Sequence, residues 1–161
     1  MKSSRYIYTV GYEGLSTEGF IGRLKDARVH TLIDIRELPL SRKAGFSKTA
    51  LSALLARHGI AYAHMPALGC PKPIRDRYKI DGDWKRYTAD FTRYLATQQA
   101  PVAELAKIGQ ATAIALMCFE ADFARCHRSF VARAAGAEAG LPVAHITART
   151  VVPELARRVA A

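Results

Sequence analysis

Long apolar runs are missing from this 161-residue chain. No segment approaches the roughly 18 uncharged apolar residues that span a bilayer, and the opening MKSSRYIYTVGYEG lacks the apolar core and small-residue cleavage site of a signal peptide. No membrane partner is expected, and the expected location is cytoplasmic. Cysteine is scarce, three in all and without a close CxxC pair, which argues against a disulfide framework or a zinc ribbon and for reduced thiols. The GxGxxG fingerprint is absent too: Gly11-Tyr12-Glu13-Gly14 has the wrong spacing, so a dinucleotide site is not expected. A phosphatase-type Cys-x5-Arg fails by one residue, because the first arginine after Cys118 is Arg125. There is no internal repeat, low-complexity tract or linker to mark a second domain.

Acidic residues are few, 14 against 24 Lys/Arg, for a formal charge of +10. From Arg36 to Arg93 the chain carries twelve Lys/Arg and five Asp/Glu, so this third holds most of the excess. A basic balance of this kind attracts phosphorylated metabolites or nucleic acid through its long-range field, and says nothing of fold.

What is present is an apolar half of the composition, enough to enclose one core. Tyr6–Val10, Thr31–Ile35, Ile60–Met65, Ala111–Met117 and Pro142–Ile146 read as short buried strands. Between them lie helical patterns: one capped by Ser16 or Thr17 and running to about Arg28, one from Ser47 to His58-Gly59, one capped by Asp83 with Trp84, Tyr87, Phe91 and Leu95 on a face, and one over Pro101–Lys107. A further helix is expected from Asp122 as cap to about Ala135, and a short one over Pro153–Ala161. Pro66–Gly82, with prolines, glycines and alternating charge, reads as a long loop. Strands alternating with helices predict a single α/β domain, a three-layer α/β/α sandwich around a mostly parallel sheet.

In such sheets ligands bind at the carboxyl ends of the strands. Glu13, Asp34 and Glu120 follow three of the strands, and a convergence of carboxylates could hold a divalent metal such as Mg²⁺ or position a water. After the second strand, DIRELPLSRKAGFSK gathers Arg36, Ser41, Arg42, Lys43, Ser47 and Lys48. Guanidinium forks there, with helix amides after Ser47, suit an anion.

The stretch ALMCFEADFARCHRS carries Cys118, Glu120, Cys126, His127 and Arg128. A helix capped by Asp122 would turn Cys126 and His127 about 100° apart, which is awkward for zinc. Cys118 is better placed as a thiol nucleophile, after a strand and before a helix N-terminus. Arg128 falls within reach of a ligand at the strand end or of Glu120 itself.

Taken together, TVGYEG, LIDIRELPLSRKAGFSK, GIAYAHMPALG and ALMCFEADFARCHRS resemble the domain of unknown function 488 family, over about residues 5–147. The resemblance implies an α/β fold and a site built from Asp34, Arg36, Ser41, Arg42, Cys118, Glu120, Cys126, His127 and Arg128; it brings no established activity. The expected function is an enzyme acting on a phosphate-bearing substrate, a nucleotide or nucleic acid, with Asp34, Glu120 and Cys118 catalytic and Arg36, Ser41, Arg42, His127 and Arg128 binding substrate. Two other classes stay open: a non-catalytic nucleic-acid module using Tyr62, Tyr78, Trp84 and Tyr87, and a thiol-redox protein using Cys118 and Cys126.

Overall fold

The computed structural model of the protein describes residues 5–155. Its elements run β1 (Ile7–Gly11), α1 (Thr17–Asp26), β2 (Thr31–Asp34), α2 (Lys48–Arg57), β3 (Ala61–His64), α3 (Lys72–Asp81), α4 (Trp84–Ala96), α5 (Gln99–Ala111), β4 (Ile114–Cys118), α6 (Arg128–Ala139), β5 (Val143–Ile146) and β6 (Val151–Pro153). The six strands form one sheet in the order β3-β2-β4-β1-β5-β6. All pairings are parallel except β5 with β6. The protein is thus a three-layer α/β domain, as the alternation of patterns predicts.

Period-two alternation in β4 shows how the layers are held. Ile114 and Leu116 face a core shared with Phe91 of α4, Leu105 of α5 and Val131 of α6, while Ala115 and Met117 face one shared with Phe20 of α1 and Leu51 of α2. Side chains alternate across a strand, so a strand apolar at every position is covered on both faces. The chain leaves β1 and β2 into helices on one face and β4 into α6 on the other. Loops that part in this way open a crevice at the carboxyl edge of the sheet.

Three segments differ from the sequence reading. Pro66–Gly82 is not a loop: a 3-10 turn at Pro66–Leu68 leads into α3. Proline sits at its start, Gly82 ends it in the left-handed region with φ 61°, and Ile74 and Tyr78, four apart, pack on the core. With no fully buried residue in α3, the apolar stripe is too thin to show as a period. Asp122 caps a 3-10 turn at Phe123–Arg125 rather than α6. Cys126 is then extended (φ −139°, ψ 141°), and α6 begins at Arg128 with His127 as N-cap. Finally, Val151–Pro153 is a strand paired to β5, and the rest of the expected terminal helix, 156–161, lies outside the described residues. No helix among the described residues is long and apolar enough to cross a membrane.

Candidate functional site

A cavity of about 880 Å³ opens at the carboxyl edge of the sheet, within the size range of small-molecule sites. Its walls come from the segment after β2 (Arg36, Glu37, Leu38, Leu40, Ser41, Arg42, Lys43), from Arg75, Tyr78 and Lys79 of α3, and from the end of β4 and the segment after it (Cys118, Phe119, Glu120, Arg125, His127). Tyr12, Cys70 and Tyr87 complete it. Among the cations, Arg36 is paired with Asp34 and Arg75 with Glu37. Arg42, Lys43, Lys79 and Arg125 line the cavity with no carboxylate partner within ion-pair distance among the described residues. Leu38, Leu40 and Phe119 are large apolar side chains left exposed at this same place, by 55%, 70% and 44%.

Asp34, expected to act at the site, stands behind it. It is fully buried and its carboxylate is taken up by Arg36 through Nε at 2.9 Å and Nη2 at 2.8 Å, and by the Tyr62 hydroxyl at 2.5 Å. Burial, then the hydrogen bond to Asp34, raises the Tyr62 phenol above its ordinary value. Arg36 passes the anchorage on, donating from Nη1 to the Tyr12 hydroxyl at 3.1 Å. Glu13 is likewise committed, accepting the Ala121 N–H at 3.0 Å. The three carboxylates therefore do not converge, and of them only Glu120 lines the cavity. The expected Mg²⁺ set of Glu13, Asp34 and Glu120 is not assembled.

The anion stretch after β2 is reached in part. Ser41, Arg42 and Lys43 line the cavity, but Ser47 and Lys48 do not. The Ser47 hydroxyl accepts the Ser41 N–H at 2.9 Å and the Lys48 N–H donates to the Pro39 carbonyl at 2.9 Å, so the start of α2 braces the loop instead of facing a ligand. Glu37 accepts from Arg75 at 2.9 Å, and Arg75 Nε donates to the Cys70 carbonyl at 3.0 Å; these bonds tie α3 to the wall.

At the floor lie the residues of ALMCFEADFARCHRS. The sulfurs of Cys118 and Cys126 are in direct contact, although their Cα atoms are 7.8 Å apart. Glu120 Oε2 is 3.2 Å from Cys118 Sγ and 3.3 Å from Cys126 Sγ. Glu120 is open to the cavity yet walled by protein, and that burial raises its carboxyl above the ordinary carboxylate value. Because the chain is extended at Cys126, the Cys126 and His127 side chains do not diverge as they would in a helix: Sγ and Nδ1 are 3.9 Å apart. His127 Nε2 meets the Ile35 carbonyl at 3.0 Å, a contact that requires the proton on Nε2 and leaves the Nδ1 lone pair toward the sulfurs. Burial lowers the His127 pKa to about 4, which keeps the ring neutral near pH 7.

Arg128 lies beneath this floor and is fully buried. Nη1 donates to the Glu120 carbonyl and to Cys118 Sγ at 3.4 Å, and Nη2 to the Ala121 carbonyl at 3.3 Å, while Nε has no partner. Burial lowers its pKa to about 10, still well above neutrality. Arg128 thus reaches Glu120 through the backbone carbonyl rather than through the carboxylate. Gly11 makes room for this arrangement: a Cβ there would overlap the Glu120 carbonyl. Cys70, the third cysteine, is buried, and burial pushes its thiol up to about 11; it stays protonated.

Arg75, Lys79 and Arg125 were not read as site residues from the sequence. Arg75 and Lys79, four apart, share one face of α3, so recognising that helix was the signal that could have found them. Nothing local marked Arg125.

Fold and cavity define an α/β protein with a cation-rimmed pocket at the carboxyl edge of its sheet. The chain belongs to the family described as domain of unknown function DUF488, whose model matches residues 16–135. No curated protein and no solved structure matches the chain.

Proposed function

We propose that the protein is an enzyme acting on a phosphate-bearing substrate of nucleotide size, bound in the cavity at the carboxyl edge of the sheet. The observation that carries this reading is the set of four cations, Arg42, Lys43, Lys79 and Arg125, that face one cavity without carboxylate partners among the described residues. Clustered like charges repel one another, and an anionic ligand would relieve that repulsion. The apolar lip of Leu38, Leu40 and Phe119 suits the base of a nucleotide, and the volume of about 880 Å³ accommodates one. Glu120 is the proton-transfer group, its carboxyl raised toward neutrality by burial. Cys118 shares the floor, where Arg128 Nη1 donates to its sulfur at 3.4 Å.

A nucleic-acid module reading through stacked aromatics has less support. Tyr87 is buried, Trp84 packs on the core, and Tyr62 is held by Asp34; these rings do not form an open row.

Calorimetry with nucleoside mono-, di- and triphosphates at low and moderate salt tests the binding, with hydrolysis of the same panel assayed in parallel. Binding should weaken with salt and with Arg42→Gln/Lys43→Gln, while Glu120→Gln should keep binding and lose about 10²–10⁴-fold in turnover. Affinities identical in wild type and the double variant for every anion would sink the reading.

A further inference from the structure

We propose that Cys118, Cys126 and His127 bind a thiophilic divalent metal ion, zinc by the chemistry of the set, with its fourth position open to the cavity beside Glu120. Two sulfurs and one imidazole nitrogen present ligand atoms that all lie within 4.8 Å of one another. Zinc takes thiolate sulfur at about 2.3 Å and imidazole nitrogen at about 2.0–2.1 Å in a tetrahedron, so small side-chain adjustments are enough to enclose an ion. The extended backbone at Cys126 is what makes this possible, since two neighbouring helical residues could not turn toward one point.

Three further observations point to an ion. His127 donates Nε2–H to the Ile35 carbonyl at 3.0 Å, and a metal-bound histidine is almost always oriented by such a bond from its other nitrogen. The Cα atoms of Cys118 and Cys126 are 7.8 Å apart, beyond the span of about 4.4–6.8 Å usual for a disulfide. A shared ion that spaces the sulfurs suits this backbone better than a direct bond. Lastly, Arg128 is buried under Cys118 and donates Nη1 to its sulfur at 3.4 Å, a hydrogen bond that orients a sulfur ligand from outside the ligand set.

Three protein ligands with one open position is the arrangement of catalytic rather than structural zinc. If the cavity takes phosphate esters, as proposed above, the ion would acidify a bound water there. In such a hydrolysis the water oxygen would bond to phosphorus as the ester P–O bond breaks, and Glu120, on the same wall, would carry the water's proton to the leaving oxygen. The metal proposal itself does not depend on that chemistry.

The full chain, reduced and treated with chelator, should bind Co²⁺ at one ion per chain and develop a thiolate-to-cobalt charge-transfer band in the near ultraviolet. Zn²⁺ should displace the cobalt. Cys118→Ser and Cys126→Ser should each lose the band, Cys70→Ala should keep it, and Arg42→Gln/Lys43→Gln should keep it while losing anion binding, which separates the two proposals. Circular dichroism checks the fold of each variant. Failure of reduced wild type to develop the band, or a band equal in the Cys118→Ser/Cys126→Ser protein, overturns the metal site whatever the nucleotide assays give.

Discussion

Arg128 Nη1 donates to Cys118 Sγ at 3.4 Å from a side chain with no solvent exposure. A buried guanidinium without a carboxylate is costly unless a nearby group carries the opposite charge, and the Cys118 sulfur is the group in contact that can ionise. In metal-free, reduced protein, the time profile of iodoacetamide alkylation at Cys118, read by peptide mapping at neutral pH, should therefore be slower in Arg128→Met, which removes the donor to that sulfur. Arg128→Lys should restore part of the difference. An unchanged profile in a folded Arg128→Met protein would mean that the thiol does not feel the guanidinium.

Gly11 and the Glu120 carbonyl oppose each other where β1 passes beneath the segment after β4. Backbone on both sides leaves no flexible side chain to give way. Gly11→Ala should cost about 1–3 kcal/mol in urea unfolding and displace Glu120, so the activity proposed above should fall further than stability alone accounts for. Wild-type stability in this variant would show that the loop relocates freely.

The Asp34–Arg36 pair is buried on both sides, 0% and 8% exposed. Removing one partner strands the other charge, so Asp34→Asn should destabilise the protein by about 3–5 kcal/mol. Tyr62→Phe deletes one hydrogen bond to the same carboxylate and should cost about 1–3 kcal/mol. Denaturant titrations at neutral pH give both values, and an Asp34→Asn loss no larger than that of Tyr62→Phe would contradict the buried-charge account.

His145 is buried between the Thr9 hydroxyl at 2.6 Å and Glu154 at 2.8 Å. Burial lowers its pKa; Glu154 opposes the shift, and the fields of Arg128 and Arg133 add to it. A folded value below the unfolded one, about 6.5, means that the unfolded chain binds the proton more readily. Its contribution is therefore complete above about pH 6.5 and is lost as pH falls toward the lowered folded value. Stability of the wild type should decline from pH 7 to pH 5.5, and His145→Gln should make that decline shallower, leaving the part that comes from buried His127, lowered to about 4. Glu154, held down by Arg133 and His145 against the effect of burial, gives its own loss only at lower pH, near and below the ordinary carboxylate range.

Much of this protein is determined locally. Strands such as IALMC are apolar at every position and helices such as Trp84–Ala96 carry Tyr87, Phe91 and Leu95 at helical spacing, so the α/β class and the carboxyl edge as the place to look were legible from the sequence. Arg36, Ser41, Arg42, Cys118, Glu120 and His127 all line the cavity, each at the end of a strand or in the connection that leaves one for the next helix. What only the tertiary structure decided was which groups face one another. Asp34 and Glu120 look equivalent in sequence, but the pairing of β2 with β3 brings Tyr62 onto Asp34 and withdraws it, while Glu120 keeps its carboxylate in the cavity. α3 is held by packing and by the Arg75–Glu37 pair rather than by an apolar period, so its cations came into view only with the fold. An Asp122 cap predicts a helix through Cys126 and His127; a single extended residue, Cys126, instead turns both toward Cys118. Hydrophobic period and strand ends are properties of a segment, and they survive in one dimension. The direction of a polar side chain depends on which distant carbonyl or charge meets it, and that is fixed only when the sheet is assembled.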